Sequence, residues 1–565
     1  MGKLLNFLLK CSHSLVATLQ SQCYITKLGL LYFRGKHVHT EMPFSGGNVL
    51  ERLRACFKAG NRWLTPGRIL SIAFLFGLTW GIVFLVFNEE IYRDVANCYA
   101  WYAREFGQGN WNGPALAGLP PLNIFLGGLL TRCGIETYRA LMLLSLLFYL
   151  LTIFPLYRLL KNFVSPQAAA WGTVLFVSAP KIIRFAGMGL LESGRDFFLV
   201  LSFALLFRIL RGKYRPFHLI FLGISLGFLS LTRGEGILMA GTVGLCMILL
   251  WRNFQWEWRS FFRQVALPML AVAGVALVVI SPRLVNNYRV CGYPVIDTRA
   301  IGTVNLIPGA KRIFHERRTP EPTPRTVSGK APPKPSSAPA VSDWKNLMDL
   351  PKNFTRGGYE LYRLLGLIGV GMLLYRRRWR WEYSLLIGYV AFNSLAFCHF
   401  AVAYRYFIFV IPLFMVFTLF GIGFLLEFAR RFRMHGVAVA ILALLVAGQS
   451  FNAPLTFRET TQRQLGRYLK THKADFLPPG GNRALVVHSI GQPEVVYWCD
   501  ETRLTDYSAK CPDPNRVAGF DVLVVGARDS ADVNILRNRS DLREALSPVP
   551  EFRLFVPVEK KETRK

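Results

Sequence analysis

Acidic residues are scarce in this chain. Asp and Glu together number 34 in 565 residues against 67 Lys and Arg, and charged residues of all kinds make up only 18%. An ordinary soluble domain carries roughly 25% charged residues, so a wholly soluble enzyme does not fit. Cysteine is thin as well. The ten Cys form no C-x-x-C pair and no Cys/His set with zinc-ligand spacing, which excludes a disulfide scaffold and a zinc module. No metal and no cofactor is called for. Internal repeats and charges in the middle of apolar runs, the marks of many transporter folds, are also missing.

What fills the chain instead is apolar. Hydrophobic residues make up 52%, and 44 Phe, 21 Tyr and 12 Trp exclude disorder over most of the length. The formal net charge is +33. In a soluble protein that excess would point to nucleic acid. Here the basic clusters alternate with apolar runs, so no nucleic-acid partner is expected and the cations mark one side of a membrane.

Ile69–Phe87 runs 19 residues without a charge, and a helix of that length, at about 1.5 Å per residue, crosses one hydrocarbon core. Similar runs follow at Ala140–Tyr157, Ala168–Pro180, Phe197–Phe207, Pro216–Thr232, Gly236–Trp251, Val265–Ile280, Leu364–Tyr375, Tyr383–Tyr404, Tyr406–Leu426 and Gly436–Thr456. The expected fold is a mainly α polytopic membrane protein with about 11 transmembrane helices. Every second loop is short and basic: Arg158/Lys161, Arg208–Arg215, Arg252–Arg263, Arg376–Arg380 and Arg430–Arg433. Those loops read as cytoplasmic. Residues 1–68, with ten Lys/Arg against Glu41 and Glu51, share that side.

Three regions follow: a basic cytoplasmic segment 1–68, a transmembrane region 69–456, and an extracytoplasmic region 457–565. Residues 1–68 show no clean signal-peptide pattern, and one reading starts translation at Met42. Within the middle region, Thr319–Ala340 is rich in Pro, Ser and Ala and reads as a disordered or polyproline insert. After 457, short strands are expected at 484–488, 495–498, 521–526 and 552–556. With helices at 462–470 and 532–546 they suggest a small α/β domain. Cys499 and Cys511 fall there, and separation alone does not decide whether they pair.

The loop 88–138 holds the most informative residues. Glu89 and Glu90 stand at the water-side end of the first span, followed by Tyr92 and an amphipathic stretch, 92–106. A turn at 109–114 and the segment Leu119-Pro120-Pro121-Leu122 lead into a second short apolar stretch. Both stretches read as interfacial helices. By itself an acidic pair at a helix end is most simply a hydrated one.

In this order the loop resembles the first outer loop of the GT-C glycosyltransferases, in particular the protein-mannosyltransferase, aminoarabinose-transferase and RgtA-like group. Over residues 70–470 further pieces resemble that family. They are Gly189–Ser193 with Glu192, Leu231–Gly236 with Arg233, Ser281–Pro294 with Arg283 and Arg289, and Tyr404–Pro412 with Arg405 and Tyr406. Gly234 stands where the family has Pro, and Asn88 stands where its first acidic residue is expected if Tyr92 holds register.

The resemblance implies an inverting sugar transfer from a polyprenyl-phosphate donor to a lipid, glycan or protein acceptor at the outer membrane surface, in a bacterial inner or plasma membrane. That chemistry needs a carboxylate to take the acceptor proton and cations to stabilise the departing phosphate. Glu89, with Glu90 beside it, and Glu192 are the candidate catalytic carboxylates. Tyr92, Arg233, Arg283, Arg289, Arg405 and Tyr406 are the candidate substrate-binding residues. Plainer roles stand beside these. Arg233 has Glu235 in reach, Arg405 is placed to snorkel to the interface, Arg283 and Arg289 lie in a basic loop, and Glu192 suits a helix start. A lipid-linked-sugar transporter or flippase, or an inactive relative, is the alternative function.

Overall fold

The computed structural model describes residues 64–88, 91–92, 94–110, 119–212, 215–251, 261–291, 294, 296, 360–396, 404–450, 461–472, 475–477, 487–489, 521–526, 530–545 and 547–558. The expected N-terminal segment up to 63, the insert 319–340, the strand at 495–498 and both Cys499 and Cys511 lie outside these residues.

Helices dominate. In chain order they are α1 Pro66–Phe87, α2 Ala100–Gly107, α3 Pro121–Arg132, α4 Thr137–Leu160, α5 Pro166–Val177, α6 Pro180–Gly187, α7 Glu192–Leu210, α8 Pro216–Thr232, α9 Glu235–Trp251, α10 Leu267–Cys291, α11 Glu360–Tyr375, α12 Trp381–Ala396, α13 Val410–Arg431, α14 His435–Ser450 and α15 Thr461–Thr471. Several start on proline, whose missing N–H costs nothing in a first turn. Thr65 and Ser165 cap α1 and α5 by accepting from the backbone N–H of Arg68 and Ala168.

Each of the eleven apolar runs overlaps one of these helices. Among the described residues four are long and apolar enough to cross a membrane: α1, α4, 267–290 of α10, and α13. Leu267, Leu270, Leu277 and Val278 of α10 are all more than half exposed. An apolar surface of that extent belongs against lipid. The protein is an integral membrane protein.

The helices meet through small residues. A Cβ on Gly369 of α11 would strike the carbonyl of Phe417, and one on Gly421 of α13 would strike that of Leu365. Such close backbone approach is how helices associate where lipid is as apolar as their own side chains. Between α5 and α7 the chain leaves helical geometry twice, and α4 satisfies the freed carbonyls: Tyr149 donates to Val177 at 2.6 Å and Ser145 to Leu190 at 2.6 Å. Gly189, at φ +70°, makes the turn into α7, and a Cβ there would press on Leu141 at 3.2 Å.

Two boundaries differ from expectation. The span expected to end at Ile280 continues, because α10 runs through Pro282 to Cys291. The helix expected over 532–546 stops at Arg537 as α16, Ser530–Arg537, and 542–545 become a strand. Pairing with a neighbouring strand outweighs the local pattern there.

The C-terminal strands are β1 Val487–Ser489, β2 Val522–Gly526, β3 Leu542–Ala545 and β4 Phe552–Pro557, in the order β1-β2-β4-β3. β1 and β2 are parallel, with Val487 opposite Val522; β4 is antiparallel to β2 and β3. Alternation splits the sheet into two faces. Val522, Val524 and Leu554 pack with Leu465 and Leu469 of α15, while Leu523, Val525 and Phe555 pack with Val533 and Leu536 of α16.

Candidate functional site

Four segments far apart in sequence bring their polar side chains together at the ends of these helices. The first is a π-helical turn, Val95–Tyr99, with Asp94 before it. A π turn holds one residue more than an α turn and is common at functional sites. The second is the first turn of α7, where Glu192 benefits from the helix dipole. The third is Arg233, whose extended backbone (φ −162°, ψ 157°) ends α8. The fourth is the 3-10 turn Tyr404–Phe407 ahead of α13.

Glu192 is 3% exposed and accepts from Arg233 Nη1 at 3.3 Å. The Arg233 guanidinium lies 4.5 Å from the centre of the Tyr406 ring. Arg405 lies over the same ring at 5.2 Å and over Tyr92 at 5.5 Å, and it forms an ion pair with Asp94. Two carboxylate–guanidinium pairs are thus joined through one tyrosine, and cations on aromatic faces gain a further electrostatic contribution. Burial works against the charge of Arg405, but Glu192, Asp94 and Tyr406 prevail and hold its pKa above the usual arginine value. The Tyr99 hydroxyl is pushed up, first by burial and then by Glu192; Asp94 adds to the shift while Arg405 and Arg233 oppose it.

Next to Glu192 is a small cavity of about 10 Å³, lined by Ser193, Asp196, Thr152 and Tyr149 with Phe185 and Ile408 among its apolar walls. That is room for about one water. The Oε2 atom of Glu192 is buried and has no hydrogen-bond partner among the described residues.

No protein-family model matches the sequence, and no curated protein matches it. Solved structures do match by fold. ArnT from Cupriavidus metallidurans in the apo state superposes with a TM-score of 0.57 at 15% identity, over 88% of this chain and 98% of that one. ArnT from the same organism bound to undecaprenyl phosphate gives 0.54 at 14% identity, over 86% and 97%. The chain has the GT-C fold. A third similar structure, the Archaeoglobus fulgidus oligosaccharyltransferase tethered with an acceptor peptide, gives 0.47 at 12% identity over 77% of this chain, and this chain spans 63% of its length.

Within this GT-C fold the sequence candidates have distinct fates. Tyr92, Glu192, Arg233, Arg405 and Tyr406 come together. Arg233 meets Glu192, while the side chain of Glu235, its neighbour in sequence, lies outside the described residues. Arg405 does not snorkel into open water: its side chain is 12% exposed and is paired. Arg283 is not in a loop but on α10, 2% exposed, where it donates to the carbonyls of Leu119 at 3.0 Å and Ile296 at 3.5 Å. It ties α10 to the entrance of α3. Arg289, six residues on and so on another face of the helix, is exposed. Glu89 and Glu90 lie outside the described residues. Asn88, the departure from the family pattern, is buried and donates to the Tyr138 hydroxyl at 3.2 Å.

Asp94 and Tyr99 went unrecognised in the sequence. The signal for Asp94 is an acid near the start of the amphipathic stretch 92–106, four residues after the Glu89–Glu90 pair.

Proposed function

We propose that this protein is a membrane glycosyltransferase that moves a sugar from a polyprenyl-phosphate donor to an acceptor on the extracytoplasmic face, with inversion at the anomeric carbon. The observation that carries the reading is the pairing of Asp94 with Arg405 and Glu192 with Arg233 around Tyr406. The arrangement suits one reaction. Arg405 turns from Asp94 to the donor phosphate, a two-point contact for which a guanidinium fork is shaped. Asp94, released, takes the proton of the acceptor hydroxyl as that oxygen bonds to the anomeric carbon. The bond from that carbon to the phosphate oxygen breaks on the opposite face, and the phosphate leaves with the electron pair, stabilised by Arg405 and Arg233. Glu192 holds Arg233 in place.

The same reading places about eleven spans across the membrane, residues 1–68 in the cytoplasm and 457–565 outside it as a small α/β domain. Its setting is a bacterial inner or plasma membrane. The acceptor is a lipid, glycan or protein.

Asp94→Asn tests the assignment. Turnover in a vesicle assay is expected to fall by roughly 10²–10⁴-fold, the usual worth of a general base. Binding of undecaprenyl phosphate is expected to hold or tighten, because Arg405 loses its competitor. A flippase would keep moving lipid with Asn at 94. If Asp94→Asn is fully active and Glu89→Gln or Glu90→Gln is dead, the base lies upstream in the same loop.

A further inference from the structure

Arg195 is the most deeply buried cation near this cluster, and the reaction just described has no use for it. It is 0% exposed, on the first turns of α7, three residues after Glu192. Its Nε donates to Asp196 Oδ1 at 3.0 Å, and Nη2 lies 3.0 Å from the same oxygen. Its Nη1 donates to the backbone carbonyl of Tyr406 at 3.1 Å, and the guanidinium lies 5.4 Å from the centre of the Phe409 ring.

Residues three apart share a helix face. One face of α7 therefore grips the cluster twice: Glu192 holds the side chain of Arg233, and Arg195 holds the backbone of the turn that presents Arg405 and Tyr406. Stability alone does not call for this pair. A buried ion pair is often replaced by apolar residues of similar volume with no loss, or with a gain. What an apolar pair cannot supply is a donor to the Tyr406 carbonyl. Lysine cannot replace the fork either, since one ammonium nitrogen has to serve both Asp196 and a carbonyl on another segment.

We propose that Arg195, anchored by Asp196, is a positioning residue that sets the Tyr404–Phe407 turn so that Arg405 and Tyr406 face the donor phosphate. The role rests on the glycosyltransferase reading. Loss of the tether leaves the fold intact and misplaces the phosphate-binding cation.

The test compares the whole protein with Arg195→Met/Asp196→Leu, Arg195→Lys, Arg405→Ala, and the first pair combined with Arg405→Ala, using undecaprenyl phosphate as the binding probe. The double variant is expected to unfold at the wild-type temperature or above, yet to bind the probe roughly 10- to 100-fold more weakly, the scale of a small misplacement in a site. Its KM for a sugar-bearing donor rises more than its kcat falls. Arg195→Lys, which keeps the charge beside Asp196, shows the same weakening. Adding the double variant to Arg405→Ala costs nothing further, because the two act through one group. Wild-type binding by Arg195→Lys or by the double variant overturns the role of Arg195 alone, as does a full additive loss with Arg405→Ala. A wild-type protein that does not bind undecaprenyl phosphate at all overturns the glycosyltransferase reading, and this role with it.

Discussion

Glu192 and Arg233 are 41 residues apart in the chain and 3.3 Å apart in space, with α7 and α8 folded between them. The pair closes the far end of that helical hairpin. It also fixes the orientation of a cation that stacks on Tyr406, a residue of a third segment.

Breaking this pair from one side is expected to do more harm than removing it whole. Arg233→Met leaves a buried carboxylate without its cation, at a cost of about 3–5 kcal/mol, whereas Glu192→Gln/Arg233→Met leaves no charge behind. Thermal unfolding of the two singles and the double measures the coupling. Strictly additive effects would show that the two side chains do not act as a unit.

Asn123 on α3 is 0% exposed, and neither end of its amide has a hydrogen-bond partner among the described residues. An unpaired buried amide is a standing cost, so Asn123→Leu is expected to stabilise the protein by about 1 kcal/mol. A rise of the unfolding temperature in detergent checks this. A variant less stable than wild type would rule out the unpaired amide as a burden on the fold.

Gly421→Ala sets a methyl against the Leu365 carbonyl at the contact between α11 and α13. The expected loss is about 1–3 kcal/mol, the ordinary cost of overpacking. Gly423→Ala, two residues on and facing open space, is the control and should unfold with wild type. Equal behaviour of the two variants would argue against the glycine contact.

Tyr99 bears on the alkaline limit of stability. Its pKa is raised, chiefly by burial, so above the ordinary tyrosine value of about 10 the unfolded chain loses this proton before the folded one does. The unfolded state then binds fewer protons, and stability falls as pH rises through that range. Tyr99→Phe removes this contribution and is expected to move alkaline unfolding to higher pH. An unchanged alkaline midpoint would count against it.

Much of the helical framework was legible because a long uncharged apolar run has few other places to go. α8 begins and ends where its run does, at Pro216 and Thr232. Reading failed where a local signal was overruled. The apolar run ends at Ile280, but α10 continues through Pro282 to Cys291. Val533 and Leu536 do lie on one helix face, yet the chain beyond Arg537 gains more by pairing with β4. In the candidate site, Glu192, Arg233 and Arg405 stood out as charges beside membrane helices, which are costly to place there without a use. Asp94 did not stand out, because its partner is 311 residues away.

The amino-acid sequence by itself determined that this is a membrane protein, where its helices run and which cations stand at their ends. Hydrophobicity, proline starts and charge are local properties, and each is readable within a few turns of chain. The tertiary structure decided which carboxylate meets which cation. Asp94 reaches Arg405 because a π turn carries it, and Glu192 reaches Arg233 because α7 and α8 fold back on each other. Arg195 reaches the backbone of Tyr406 only through the packing of α7 against the start of α13. Pairings of this kind depend on helix faces and turn geometry summed over hundreds of residues, and no short stretch of sequence contains that sum.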